Sequence, residues 1–243
     1  MFLPIPVIHA FSLVIGLLSG SFVAGMSYRL PRGKDFVFGR SSCASCGHDL
    51  HIIDLLPVFS WLITQRRCRY CEKPVSQRYV VIELVCGTLF LAASIALMSE
   101  DPARVAITWI MAIVLLALSV INIEHNSSST GLVVSAALLS IIIVLYDGRS
   151  LLEAIIGAAL ALICALIFRE ISRLFCVKGL PFCVDVKLIG ALGLVVYPEK
   201  ALVFFGAFCA VAVVLAAVLV WCRCDNTLPF SAALCAGAFV TLL

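Results

Sequence analysis

Charge is what this sequence has little of. Only 13% of its 243 residues are Asp, Glu, Lys or Arg, about half of what an ordinary soluble domain carries. Hydrophobic residues make up 63%, and the mean hydropathy is +1.15. That scarcity excludes a soluble globular domain. Also missing are a glycine-rich phosphate or dinucleotide loop, a low-complexity tract and a solenoid-type repeat, so nucleotide-binding and repeat architectures find no support. No Lys or Arg precedes the first apolar run, whereas Arg29, Arg32 and Lys34 follow it. This argues against a cleaved signal peptide and predicts a retained helix with its N-terminus outside.

What the sequence does have is apolar length. A bilayer core of about 30 Å needs about 20 apolar residues per helix. Runs near 5–26, 79–98, 104–121, 131–146, 151–168, 186–197, 201–221 and 228–243 supply candidates. The fold class they predict is all-α, a polytopic membrane helix bundle of about eight spans. Threading the spans puts loops 27–78, 122–130, 169–178 and 222–227 on one side, where they hold 13 of the 17 Lys and Arg. By the positive-inside rule that side is cytoplasmic. The net charge of +3 therefore marks topology and contact with the lipid bilayer, and gives no reason to expect nucleic acid. Three parts follow: a first transmembrane helix at 1–26, a cytoplasmic cysteine-rich loop at 27–78, and a multi-helix membrane domain at 79–243.

The loop contains "CASC" (Cys43, Cys46) and "CRYC" (Cys68, Cys71), two C-x-x-C units separated by 21 residues. Each unit can place two thiolates on one tetrahedral ion, and the chain between them is long enough to return as a second knuckle. Zn2+ is the favoured ion. A pair of disulfides is the rival, and a reducing cytosol weighs against it. Four thiolates close the coordination sphere, so such a site is structural, and a small loop with little core gains folding energy from it.

Ionisable and amide groups also stand where spans begin or end. They are Glu83, Asn122, Glu124, Asp185 and Lys187, and groups of this kind at membrane depth default to function. On the threaded topology Asn122, Glu124, Asp185 and Lys187 share the cytoplasmic ends of helices. The bland alternative is an Asp185 that caps its helix and a Lys187 that reaches toward headgroups.

These residues resemble a known family, the type IV prepilin leader peptidases, membrane aspartic peptidases that also N-methylate their product. "GSFVAGMSYRLPRG" (20–33) is similar to the family's Gly-Ser-Phe-Leu-Asn-x-x-x-x-Arg-Leu-Pro stretch. The segment from Ser41 to Gly87 resembles its cysteine loop almost element by element, and "DVKLIGALG" (185–193) resembles the tail of its second catalytic motif. The resemblance implies a bacterial inner-membrane enzyme acting on type IV prepilins or type II secretion pseudopilins, with S-adenosylmethionine as methyl donor. It also implies two catalytic carboxylates, from an Ile-Asp-Leu segment and a Gly-x-Gly-Asp segment.

Asp185 matches the second of these carboxylates. The family's two glycines, however, are Phe182 and Val184 here, Asn122 stands at the first Asp, and Ser129-Thr130 replaces the Pro-Asp that usually follows. An amide neither takes up a proton near neutral pH nor shares one with Asp185. Glu124 is the nearest substitute, but two positions along a helix turn a side chain by about 200°, so it serves only if the helix ends before it. Three readings follow: a peptidase with altered catalytic groups, a catalytically inactive relative that binds prepilin or keeps only methyl transfer, and a transporter or structural membrane protein. The last leaves the cysteine loop unexplained. The oligomeric state is not legible.

Overall fold

The computed structural model describes residues 4–33, 35, 39–97, 101–125, 129–175, 186–221 and 230–243. Among them every extended element is a helix: α1 (Ile5–Arg29), α2 (Phe59–Ile63), α3 (Arg78–Leu97), α4 (Pro102–His125), α5 (Thr130–Tyr146), α6 (Leu151–Phe175), α7 (Val186–Gly193), α8 (Ala201–Trp221) and α9 (Phe230–Leu242). The expected all-α membrane architecture is what is found. The helix boundaries have local causes. Asp101 accepts from the Ala103 and Arg104 amides ahead of α4. At the start of α6, Ser150 and Glu153 each bond the other's backbone N–H, a capping box readable in the sequence as Ser-x-x-Glu. Gly148, at φ +65°, closes α5, with the Arg149 amide returning to the Val144 carbonyl.

The chain forms two compact units, Met1–Ile113 and Val114–Leu243, with the boundary inside α4. In the first, α1 lies against α3. The stripe of α1 that faces inward is Ser12, Gly16, Gly20, Val23 and Ser27, all buried, while Phe11, Val14, Leu18 and Phe22 are exposed. Small residues inside and large apolar ones outside is the pattern of a helix in lipid, where close backbone approach replaces the hydrophobic effect as the source of association. A Cβ added at Gly20 would lie 2.6 Å from the Glu83 Cα, and one at Gly16 2.8 Å from the Gly87 Cα. Polar contacts fix the register: His9 Nδ1 lies 2.9 Å from Ser94 Oγ, and Arg78 donates to Ser27 Oγ and, at 3.4 Å, to the Ala24 carbonyl. Trp109 of α4 stacks on Phe90 at 5.0 Å and donates to its carbonyl.

In the second unit α7 packs on α5, α6 and α9, and α8 packs on α9. Eight residues of α-helix rise only about 12 Å, so the run 186–197 is not a span in itself. The helices Lys187–Gly193 and Pro198–Ala212 meet at a bend of 113°. Carbonyls freed at this break need partners in an apolar setting. Arg149 supplies them, donating 3.2 Å bonds to Leu194 O and Val196 O while its guanidinium lies over the Tyr197 ring. Close approach is again made by glycine, since a Cβ at Gly157 would fall 2.1 Å from Val196 O and one at Gly193 2.7 Å from the Ala158 Cα.

A count of about eight spans is not confirmed by the described residues. Among the described residues three helices are long and apolar enough to cross a membrane, Ile5–Arg32, Arg78–Leu97 and Pro102–His125, or up to four if the bent pair is one span. Thr130–Tyr146, Leu151–Ile167 and Ala232–Leu242 are shorter apolar helices.

Gly20→Ala is expected to lower stability by about 1–3 kcal/mol, because its methyl meets backbone that cannot swing aside. Gly25→Ala, also inside α1 but with nothing within 4 Å of the added carbon, should raise stability by about 0.5–1 kcal/mol through helix propensity. Thermal unfolding in detergent compares the two.

Candidate functional site

The cysteine loop is built from one small motif used twice. In the first copy the Cys43 amide donates to His48 O, the Gly47 amide to Cys43 O, and the Leu50 amide to Ser41 O. In the second the Cys68 amide donates to Lys73 O, the Glu72 amide to Cys68 O, and the Val75 amide to Arg66 O. Every partner sits at the same offset from its cysteine. Each copy needs one residue in the left-handed region at the same place: Gly47 at φ +72° adopts it freely, and Glu72 at φ +59° adopts it at some cost. Antiparallel bridges Ser42–Asp49 and Arg67–Pro74 close the two knuckles.

The two knuckles bring their four sulfurs together. All lie within 4.8 Å of one another, and Cys43 Sγ is 4.0 Å from Cys71 Sγ. A tetrahedral ion with metal–sulfur bonds of about 2.3 Å would set sulfurs about 3.8 Å apart, so the donor set fits a four-coordinate metal. All four cysteines are free thiols, with Cys68 buried and Cys46 exposed. Their proton affinities diverge. The Cys46 and Ser45 backbone N–H groups hold the Cys43 thiol down to about 7. At Cys71 the Lys73 amide pulls downward, but desolvation and the three neighbouring thiols outweigh it and push the group up to about 11. Sulfurs this close cannot all ionise unless a cation is among them.

A second polar group braces the loop. Asp54 accepts from the Tyr70 hydroxyl at 2.9 Å and from the His51 amide, and Arg69 lies 3.4 Å from its other oxygen. Tyr70 in turn stacks on His48 with centroids 3.7 Å apart. Desolvation, with the Asp54 carboxylate second, raises the Tyr70 phenol above its ordinary range. Sequence reading passed over Asp54 and Tyr70, because their pairing joins residues 16 apart in the chain and no spacing motif marks it.

Glu83 is buried on α3, and its Oε2 accepts the Val58 amide at 2.8 Å. Val58 holds φ +62° and ψ −48°, with the Phe59 amide returning to Pro57 O. This is a γ-turn, a conformation strained for a β-branched residue. Here Glu83 anchors the loop to a membrane helix.

The expected catalytic residues fare differently. Asn122 is half-buried in the last turn of α4 and Glu124 is exposed. Since α4 continues to His125, Glu124 points about 200° away from Asn122. The condition under which it could replace a carboxylate at that position is not met. Asp185, with Phe182 and Val184, lies outside the described residues, and Lys187, in the first turn of α7, is exposed.

Comparison with known proteins extends these observations. The bacterial peptidase A24 N-terminal domain matches residues 14–97, which take in most of α1, both knuckles and α3. A prepilin leader peptidase/N-methyltransferase of Burkholderia pseudomallei (strain K96243) is 30% identical over 269 residues, covering 96% of this chain and 84% of that protein. The type 4 prepilin-like proteins leader peptide-processing enzyme of Escherichia coli O78:H11 is 30% identical over 256 residues, 93% of this chain and 90% of the other. A Myxococcus xanthus prepilin leader peptidase/N-methyltransferase reaches 41% over 87 residues, so this chain covers only 26% of that protein's length. No solved structure matches the chain. With helices able to cross a membrane, a four-thiol double knuckle, and similarity to full-length relatives running almost from end to end, the chain belongs to the prepilin leader peptidase/N-methyltransferase family.

Proposed function

We propose that this protein is a prepilin leader peptidase that cleaves, and then N-methylates, type IV prepilins or type II secretion pseudopilins at the cytoplasmic face of the bacterial inner membrane. The observation that carries the reading is similarity over 96% of the chain to a relative whose name states both reactions. Peptide hydrolysis by carboxylates needs one ionised group to take a proton from water and one protonated group to donate to the carbonyl oxygen or the leaving amine. Asp185 is the group available for one role. S-adenosylmethionine is the methyl donor this reading implies.

In this reading the four cysteines hold Zn2+. Four thiolates leave no open position, so the ion supplies folding energy to the loop and no chemistry to the substrate. Cys43, Cys46, Cys68 and Cys71 are its ligands, and Asp54 and Tyr70 brace the second knuckle against the turn at 51–54.

One observation favours a second reading, a relative that binds prepilin or transfers methyl groups without cutting. Asn122 offers an amide where the first carboxylate belongs, and α4 runs on past Glu124, turning that side chain elsewhere. An amide cannot serve as the base.

Incubation of the purified protein with a prepilin decides between the two. Cleavage by the wild type that disappears in Asp185→Ala and survives in Glu124→Gln supports the peptidase. Leader retention by the wild type, with cleavage gained only in Asn122→Asp, supports the second reading.

Metal analysis is expected to find about one zinc per chain, with its loss in Cys43→Ser and a stability drop on chelation in the wild type.

A further inference from the structure

The stretch between the knuckles, residues 52–63, is inside out by the standards of a water-facing surface. Its inward positions are Asp54, whose side chain is 7% exposed, the buried Pro57, and the half-buried Ser60 and Trp61. They lie on both sides of the γ-turn at Val58, which joins the short helical turn Ile52–Leu55 to α2. Its outward positions are Ile52, Ile53, Leu56, Phe59, Leu62 and Ile63, with Ile52 83%, Phe59 62% and Ile63 71% exposed. A surface in water would place polar groups outward, and a contiguous apolar patch marks an interaction site.

The tether to α3 sets the depth of this segment. Val58, at its centre, donates to Glu83, five residues into the span Arg78–Leu97. At 1.5 Å per residue that is about 7–8 Å along the helix from its charged end. Amphipathic elements lying in a bilayer interface bury their apolar face to about 5–10 Å. Charge agrees with this placement: Arg66, Arg67, Arg69 and Lys73 follow the apolar stretch and are exposed, suited to anionic headgroups.

We propose that residues 52–63 lie in the lipid interface, an amphipathic segment inserted beside the ends of α1 and α3, with its apolar side chains among acyl chains and the cations after it at the headgroups. The four-thiol cluster is thereby held at the membrane surface. The occupant of the patch is lipid, and neither a substrate helix nor a second copy of the chain is needed to cover it.

The test places a tryptophan at the patch. Phe59→Trp and Leu62→Trp, each in a full chain whose three native tryptophans are Phe, are reconstituted without substrate into phosphatidylethanolamine–phosphatidylglycerol vesicles. Quenching is read with aqueous iodide, with lipids spin-labelled near the headgroup, and with lipids labelled near the chain terminus. The expected result is protection from iodide, with severalfold stronger quenching by the shallow label than by the deep one. Free access of iodide would overturn the proposal, as would protection from iodide without lipid quenching, which would mean that protein covers the patch. Because Trp61 donates to the Val75 carbonyl and its replacement risks the loop's fold, the wild-type chain is also exposed to a photoactivatable lipid. Adducts mapped by mass spectrometry within 52–63 support the interface placement, and adducts confined to the spans refute it.

Discussion

The first unit depends on backbone lying against backbone. Where α1 meets α3, Gly16 and Gly20 let the two helices approach until a single added carbon on either would strike main chain. In lipid the attraction between helices is dispersion at short range plus a few hydrogen bonds, so it falls away quickly with separation. The short distance also carries the polar contacts. Arg78 reaches Ser27, and Glu83, whose Cα lies opposite Gly20, presents its carboxylate to the Val58 amide. The cysteine loop is thus attached at its ends to α1 and α3 and at its middle to α3, and its position follows from the helix contact.

Glycine does the same work in the second unit for a different purpose. Gly157 and Gly193 admit α6 to the interrupted stretch between α7 and α8, and Arg149 saturates the carbonyls that the interruption exposes. The break is a supported structure with its own donors. It ends α7 at Gly193.

The parts of this architecture legible in sequence are those governed by local rules. Two C-x-x-C pairs declare a knuckle each, and that they converge follows from the closed coordination sphere four thiols make. Ser150 and Glu153 announce a helix start. The apolar runs announce helices, but hydropathy is blind to where such a run turns: residues 186–197 are apolar apart from Lys187, yet the helix stops at Gly193, and the groups that stabilise the turn come from Arg149 and Gly157, far back in the chain. The Glu83–Val58 and Asp54–Tyr70 bonds were invisible for the same reason, being long-range pairings with no spacing signature. The reading of Glu124 hung on where α4 ends, a matter of two residues, and helix ends are where sequence rules are weakest.

The duplicated knuckle bears on how the loop assembles. Because the two halves have the same internal hydrogen bonds, each forms its knuckle by local contacts, and a metal ion shared by the four thiols would be met by one pair first. Arrival of the other pair then closes a loop of 21 residues, an entropic cost of about 3 kcal/mol on the logarithmic scaling. Anything that shortens the search reduces that cost. A stretch already pinned at its midpoint by a carboxylate on a preformed helix splits one long closure into two short ones.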